Sequence, residues 1–324
     1  MQLDERVLIM RAKVLQLYKT YEKIWIGMAK FFSVLVVMLL INGTIGYAPI
    51  LTKSYMIAGL ALVSTLFPAH FIMLEILGAI VIHLVYFNGM IGSLVLGVFI
   101  GLYILFIRLY PKESLLIVIT MLAMKMGIVY ILPLVVGLFG GIGAILGILI
   151  GIVGHFCAGS LEMTLQSMLN TENPEMWLQE NFYVYIGQIV DNKELLAMLV
   201  ISTVVFIVVY LMRRQGIDYA PYLAVMIGGV VNILGFLLTE LFWEIPINTF
   251  LLIIMTIISV VLTIGIQFIS SPADYSRSEL VHFEDEDNYY IVKVIPKMQI
   301  RKSMTKVEKV YSTPHREEQI NLEE

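Results

Sequence analysis

Charge is what this sequence has least of. Only 14% of its 324 residues are Asp, Glu, Lys or Arg, whereas 59% are apolar and the mean hydropathy is +0.87. A soluble fold of this length needs a polar outside, so the scarcity excludes water as the main solvent and leaves the bilayer. Cysteine is nearly absent. Cys157 alone excludes an intramolecular disulfide and a thiolate metal cluster, and its apolar neighbours mark it as an inert core thiol. The apolar stretches lack HExxH, GxSxG and paired aspartates, which argues against an intramembrane enzyme. No cofactor, no metal and no nucleic-acid partner is expected.

What charge there is lies in few places. The first 23 residues carry Asp4, Glu5, Arg6, Arg11, Lys13, Lys19, Glu22 and Lys23, too many for a signal peptide's apolar segment. Leu3, Val7, Met10, Val14, Leu17 and Tyr21 recur at three- and four-residue steps, the pattern of an amphipathic helix lying on the membrane surface. A plain charged leader is the alternative. Residues 24–270 form the transmembrane region and 271–324 a polar tail.

Crossing a hydrocarbon core of roughly 30 Å takes about 20 apolar residues as a helix. The runs 25–46, 90–107, 141–157 (a short one), 195–212, 218–239 and 246–269 meet or approach that length. Two further regions are apolar but broken, 55–87 at Pro68 and 114–139 at Lys125-Met126-Gly127 and again at Pro133. The expected fold is an all-α polytopic membrane protein, with about six full spans, two broken hairpins and a short β element in the tail.

Positive loops stay in the cytoplasm, and one assignment satisfies them all. With both termini inside, 17 of the 21 lysines and arginines are cytoplasmic, and the acidic loop 158–194 lies outside. That loop carries Leu161, Met163, Leu165 and Met168, then Trp177, Phe182, Tyr183 and Tyr185, which an interfacial helix with an aromatic belt explains. The assignment places the chain in the plasma membrane. It also requires both broken regions to return to the side they enter from, the first from outside and the second from inside. Such inverted, discontinuous elements hold the midplane sites of many secondary transporters. Short tilted spans with no pathway are the alternative, with the same parity.

Ionisable groups in the apolar zone are costly and therefore functional suspects. They are His70, Glu75, His83, Lys125 and His155. Glu75 in the first hairpin and Lys125 at the tip of the second form the expected polar focus, with Pro68 and Gly127 as the breaks and His70 beside the first. Snorkelling of Lys125 to the interface is the structural alternative. Asn232, with Pro221 and Gly228-Gly229, adds a polar patch in the penultimate span. Gly143, Gly147 and Gly151, and likewise Gly97 and Gly101, recur at four-residue steps and read as helix-packing stripes.

In the tail, the acid run Glu284-Asp285-Glu286-Asp287 lacks EF-hand spacing, and Tyr289 to Ile295 reads as a strand stopped by Pro296. Beyond Arg301 the polar composition is that of a disordered segment. Asp274-Tyr275-Ser276-Arg277, Phe283-Glu284-Asp285 and Tyr289-Tyr290-Ile291-Val292-Lys293-Val294-Ile295-Pro296-Lys297 together resemble the chain ends of a family of multi-spanning proteins from clostridial Firmicutes. Some of that family carry an ABC transporter permease label, which implies transport. Without a Walker motif here, any ATPase is a separate chain. The reading is a transporter or permease-like subunit, partnered by lipid, by a separate ATPase or other membrane subunit, or by a second copy of itself. The alternative is a membrane scaffold that recruits partners through its tail.

Overall fold

A chain rich in Ile, Val and Leu has two ways to cross a bilayer, and its backbone polar groups must be satisfied internally in either. The computed structural model, which describes residues 2–169, 174–270, 279–285 and 288–294, takes the helical one. Among those residues there are twelve α-helices and one two-stranded antiparallel sheet. Seven helices are long and apolar enough to cross a membrane: α2 (Glu22–Ile45), α4 (Ala69–Phe87), α5 with its π-helical continuation (Gly89–Ile107), α8 (Ala144–Leu169), α10 (Lys193–Met212), α11 (Ala220–Trp243) and α12 (Thr249–Ser270). The protein is thus an all-α polytopic membrane protein. The shorter helices are α1 (Gln2–Thr20), α3 (Ser54–Ser64), α6 (Leu115–Met126), α7 (Ile131–Phe139) and α9 (Pro174–Val190).

The helices bury two apolar cores. The first joins α2, α3, α4 and α5, and the second joins α7, α10, α11 and α12; α6 and α8 contribute residues to both. On α6, Ile117 and Val118 face the first core and Ala123 the second; on α8, Leu165 and Met168 face the first and Ile148 and Ile152 the second. The α6–α8 pair is therefore the seam of the molecule. Glycine makes it close. A Cβ on Gly143 would lie 2.5 Å from the Tyr110 ring, one on Gly147 2.9 Å from the Glu113 carbonyl, and one on Gly151 2.7 Å from the Ile117 carbonyl. The rising partner numbers show that the two helices run parallel. Gly97 and Gly101 have no such role within the chain, since nothing lies within 4 Å of a Cβ at either.

Helix α8 is longer than the apolar run suggested. Its 26 residues pass straight through Cys157 into what the sequence marked as loop, because Leu165 and Met168 continue the buried face against the first core. The outer segment is thus the end of α8 and then α9, whose Tyr185 hydroxyl donates to the Cys157 carbonyl (3.4 Å). The side chain of Trp177 and the structure of 271–278 and of everything beyond Val294 fall outside the described residues. Within the tail, β1 (Glu279–Glu284) pairs with β2 (Tyr289–Val294), one strand more than expected.

The contacts sort the element ends into two groups. Arg213 at the end of α10 reaches the end of α7, Tyr110 meets Gly143 at the foot of α8, and Arg11 of α1 donates through Nε to the Phe268 carbonyl of α12 (2.9 Å). Antiparallel contacts of α11 with α10 and α12 put the C-termini of both neighbours at that same end. On α1, Met10, Val14 and Leu17 are exposed, as is Tyr21 just beyond it. The opposite end holds the α2–α3 loop, where His83 accepts the Ala48 N–H (3.0 Å), and the Lys193 ammonium, which donates to the Trp243 carbonyl (3.2 Å).

Candidate functional site

Helices α6 and α7 have 12 and 9 residues, so at ~1.5 Å per residue they reach only about 18 and 14 Å, too short to cross singly. They form a hairpin. Gly127 ends α6 in the left-handed conformation (φ 73°), and the next N–H, of Ile128, donates back to Ala123 (2.9 Å), a glycine cap that turns the chain sharply. Nothing crowds a Cβ there, so the backbone angle and not space calls for glycine. Pro133 does not break the chain a second time as the sequence suggested. It lies buried in the first turn of α7, where its missing N–H costs nothing. At the base, the Arg213 guanidinium donates to the Leu138 and Gly140 carbonyls (2.8 Å to the latter) and lies 4.9 Å from the Tyr210 ring.

The tip carries the polar chemistry. Lys125 is exposed in the last turn of α6, and His155, half-buried on α8, follows Gly154, which packs on Met121 one turn before Lys125. Tyr130, just past the turn, meets Phe236 edge-on (5.4 Å).

The first hairpin has unequal arms. Helix α3 has 11 residues and lies along α2, whereas α4 is a full-length helix that packs on α5 and α2. Pro68 caps α4 with extended backbone (ψ 164°), and His70 follows in its first turn, 4.6 Å from the Phe71 ring. The carbonyls freed at the break find partners. Ser64 and Thr65 hydroxyls donate to Ala61 and Leu62 (both 2.7 Å), and the Lys30 ammonium donates to Phe67 (2.8 Å). Lys30 went unremarked in the sequence, although it is the sole charge in the run 25–46 and so flagged a partner at depth. Arg213 was equally unforeseen, because it reads as an ordinary topogenic loop charge.

Glu75 sits half-buried in α4, with Oε1 enclosed and unpartnered. Among the described residues neither Glu75 nor Lys125 has an ion-pair partner, so the structure does not join them as the sequence suggested. Glu75→Gln and Lys125→Met are therefore expected to act additively on stability in detergent, with a coupling below about 0.5 kcal/mol. A double-mutant cycle checks this. Asn232, one turn from Phe236 on α11, bonds elsewhere. Its Nδ2 donates to Thr256 (2.9 Å) between α11 and α12, in line with the buried hydroxyls of Ser259 and Thr263. These hydroxyls bond the carbonyls one turn back, at 2.7 Å each.

The class this fold defines is a multi-spanning membrane protein with one half-length hairpin set into its second core. No protein-family model, curated protein or solved structure matches the chain.

Proposed function

We propose that the protein is a transporter or permease-like subunit in which the α6–α7 hairpin lines the path and Lys125 with His155 forms its polar focus. One observation carries the reading. A short hairpin, held at its base by Arg213, ends in an exposed ammonium with an imidazole on the neighbouring α8, and its length would put that tip near mid-depth. An uncompensated charge there is expensive, so it persists where water or a counter-ion can reach it. An exposed ammonium there suits an anionic solute, and the imidazole offers it a hydrogen-bonding neighbour. The resemblance of the tail to permease-labelled proteins agrees, with any ATPase as a separate partner.

A cysteine at Met126, in a Cys157→Ser background, is expected to react with a membrane-impermeant thiol reagent in proteoliposomes, and Lys125→Gln to slow that reaction for anionic reagents. Reaction with lipid-soluble maleimides alone would place the tip against lipid and remove the path.

The proposed setting is the plasma membrane, with both termini cytoplasmic. It rests on the gathering of α1, Arg213, Arg214 and the end of α12 at one end of the bundle. In intact cells the impermeant reagent is expected to modify a cysteine at Glu175 and spare one at Glu308. The reverse pattern would invert the orientation.

The exposed sheet of the tail favours the second reading, a membrane scaffold, in which the spans only anchor a recruiting surface.

A further inference from the structure

The sheet is apolar where a soluble ribbon would be polar. Val281 stands opposite Val292 and Phe283 opposite Tyr290, whose rings stack at 5.0 Å, so one face is continuous apolar surface, each residue 38% exposed or more. The other face is mixed, with His282 and Glu284 beside Leu280, Tyr289 and Ile291, so it is the less apolar of the two. A two-stranded ribbon is marginal in water by itself, and an uncovered apolar face makes it more so.

Two observations say what covers it. Only eight residues separate Ser270 of α12 from Glu279, and at no more than ~3.6 Å each they hold the sheet within about 29 Å of the membrane boundary. Charge is also segregated along the ribbon. The closed end bears Glu284-Asp285-Glu286-Asp287, whereas the open end, where the chain arrives from α12, leads on to Lys297, Arg301, Lys302 and Lys306. A negative surface beside the open end attracts the basic run and repels the acidic turn, which lays the ribbon down in one sense. Tyrosine and phenylalanine on the apolar face suit the headgroup level.

We propose that the ribbon docks by its Val281–Phe283–Tyr290–Val292 face on anionic lipid headgroups of the membrane side from which α12 emerges. The docking is independent of whether the bundle transports.

The test uses the full chain carrying Cys157→Ser, reconstituted in phosphatidylcholine vesicles with or without phosphatidylglycerol. An environment-sensitive fluorophore is placed at Val292→Cys or, on the other face, at His282→Cys. With phosphatidylglycerol, the Val292 label is expected to shift to the blue and be quenched by headgroup-level nitroxide lipids, while the His282 label stays water-like. Without it, or in high salt, both stay water-like. Each cation near an anionic surface is worth about five-fold, so changing Lys297, Arg301 and Lys302 together to glutamine should lower the docked-to-free ratio about a hundred-fold. A water-like Val292 label on anionic vesicles overturns the proposal. So does a shielded label that nitroxide lipids fail to quench, the result that a second copy or a protein partner on this face would give.

Discussion

Replacing Gly151 with leucine is expected to split the bundle's two halves apart, with a loss of about 3 kcal/mol or more, at the upper end of overpacking costs. The added side chain would begin 2.7 Å from the Ile117 carbonyl and 2.5 Å from the Thr120 Cβ, and a backbone group cannot swing aside as a side-chain tip can. Because α6 and α8 serve both cores, the strain does not stay local. Gly97→Leu is the control, since open space surrounds that position within the chain, and its effect should remain within about 0.5 kcal/mol. Unfolding by SDS in mixed micelles measures both. Equal losses would mean that the α6–α8 contact is not the seam described.

Arg213→Met is expected to cost about 3 kcal/mol, because hydrogen bonds to charged groups contribute about 1.5–3 kcal/mol each and two carbonyls lose theirs. Leu138 and Gly140 close the hairpin's base, where α7 stops after only 9 residues. Lysine should restore only part, since a point charge cannot reproduce the planar fork that spans both oxygens. Arg214→Met should cost less than about 1 kcal/mol, because Arg214 is exposed and contributes stacking over Tyr210 (4.1 Å). Protease cleavage within residues 138–143 offers an independent reading. It should accelerate in Arg213→Met and not in Arg214→Met.

Much of this architecture was legible in the sequence, and the reason is the solvent. In a bilayer an apolar run of sufficient length becomes a helix, so α2, α5, α10, α11 and α12 follow from length and hydropathy with ends shifted by a few residues. Gly127 was legible as a break, because a glycine after a lysine-bearing turn offers the cap that ends a helix. Pro133 misled, since proline disrupts a helix interior but fits a first turn, and only the position of the start tells the two apart. The extension of α8 was hidden because its last turns bury apolar residues against the other core, a contact no local pattern reveals. Within the candidate site, Lys125 and Glu75 were recognisable as costly charges, but that neither finds an ion-pair partner among the described residues was not, because pairing depends on tertiary packing that no local pattern reveals.

The hydrogen bond from Arg11 to Phe268 spans 257 positions of sequence. Helix α1 leaves the ribosome early, yet its anchoring site does not exist until the last span has been made. Throughout insertion of the preceding helices, the buried Arg11 guanidinium is without the α12 carbonyls that it meets in the finished fold. Closure of so long a loop comes late in assembly because the entropy of bringing its ends together must be met before the contact returns anything. A chain truncated ahead of α12 therefore lacks both of these Arg11 hydrogen bonds, so a loss at one end of the sequence removes contacts at the other.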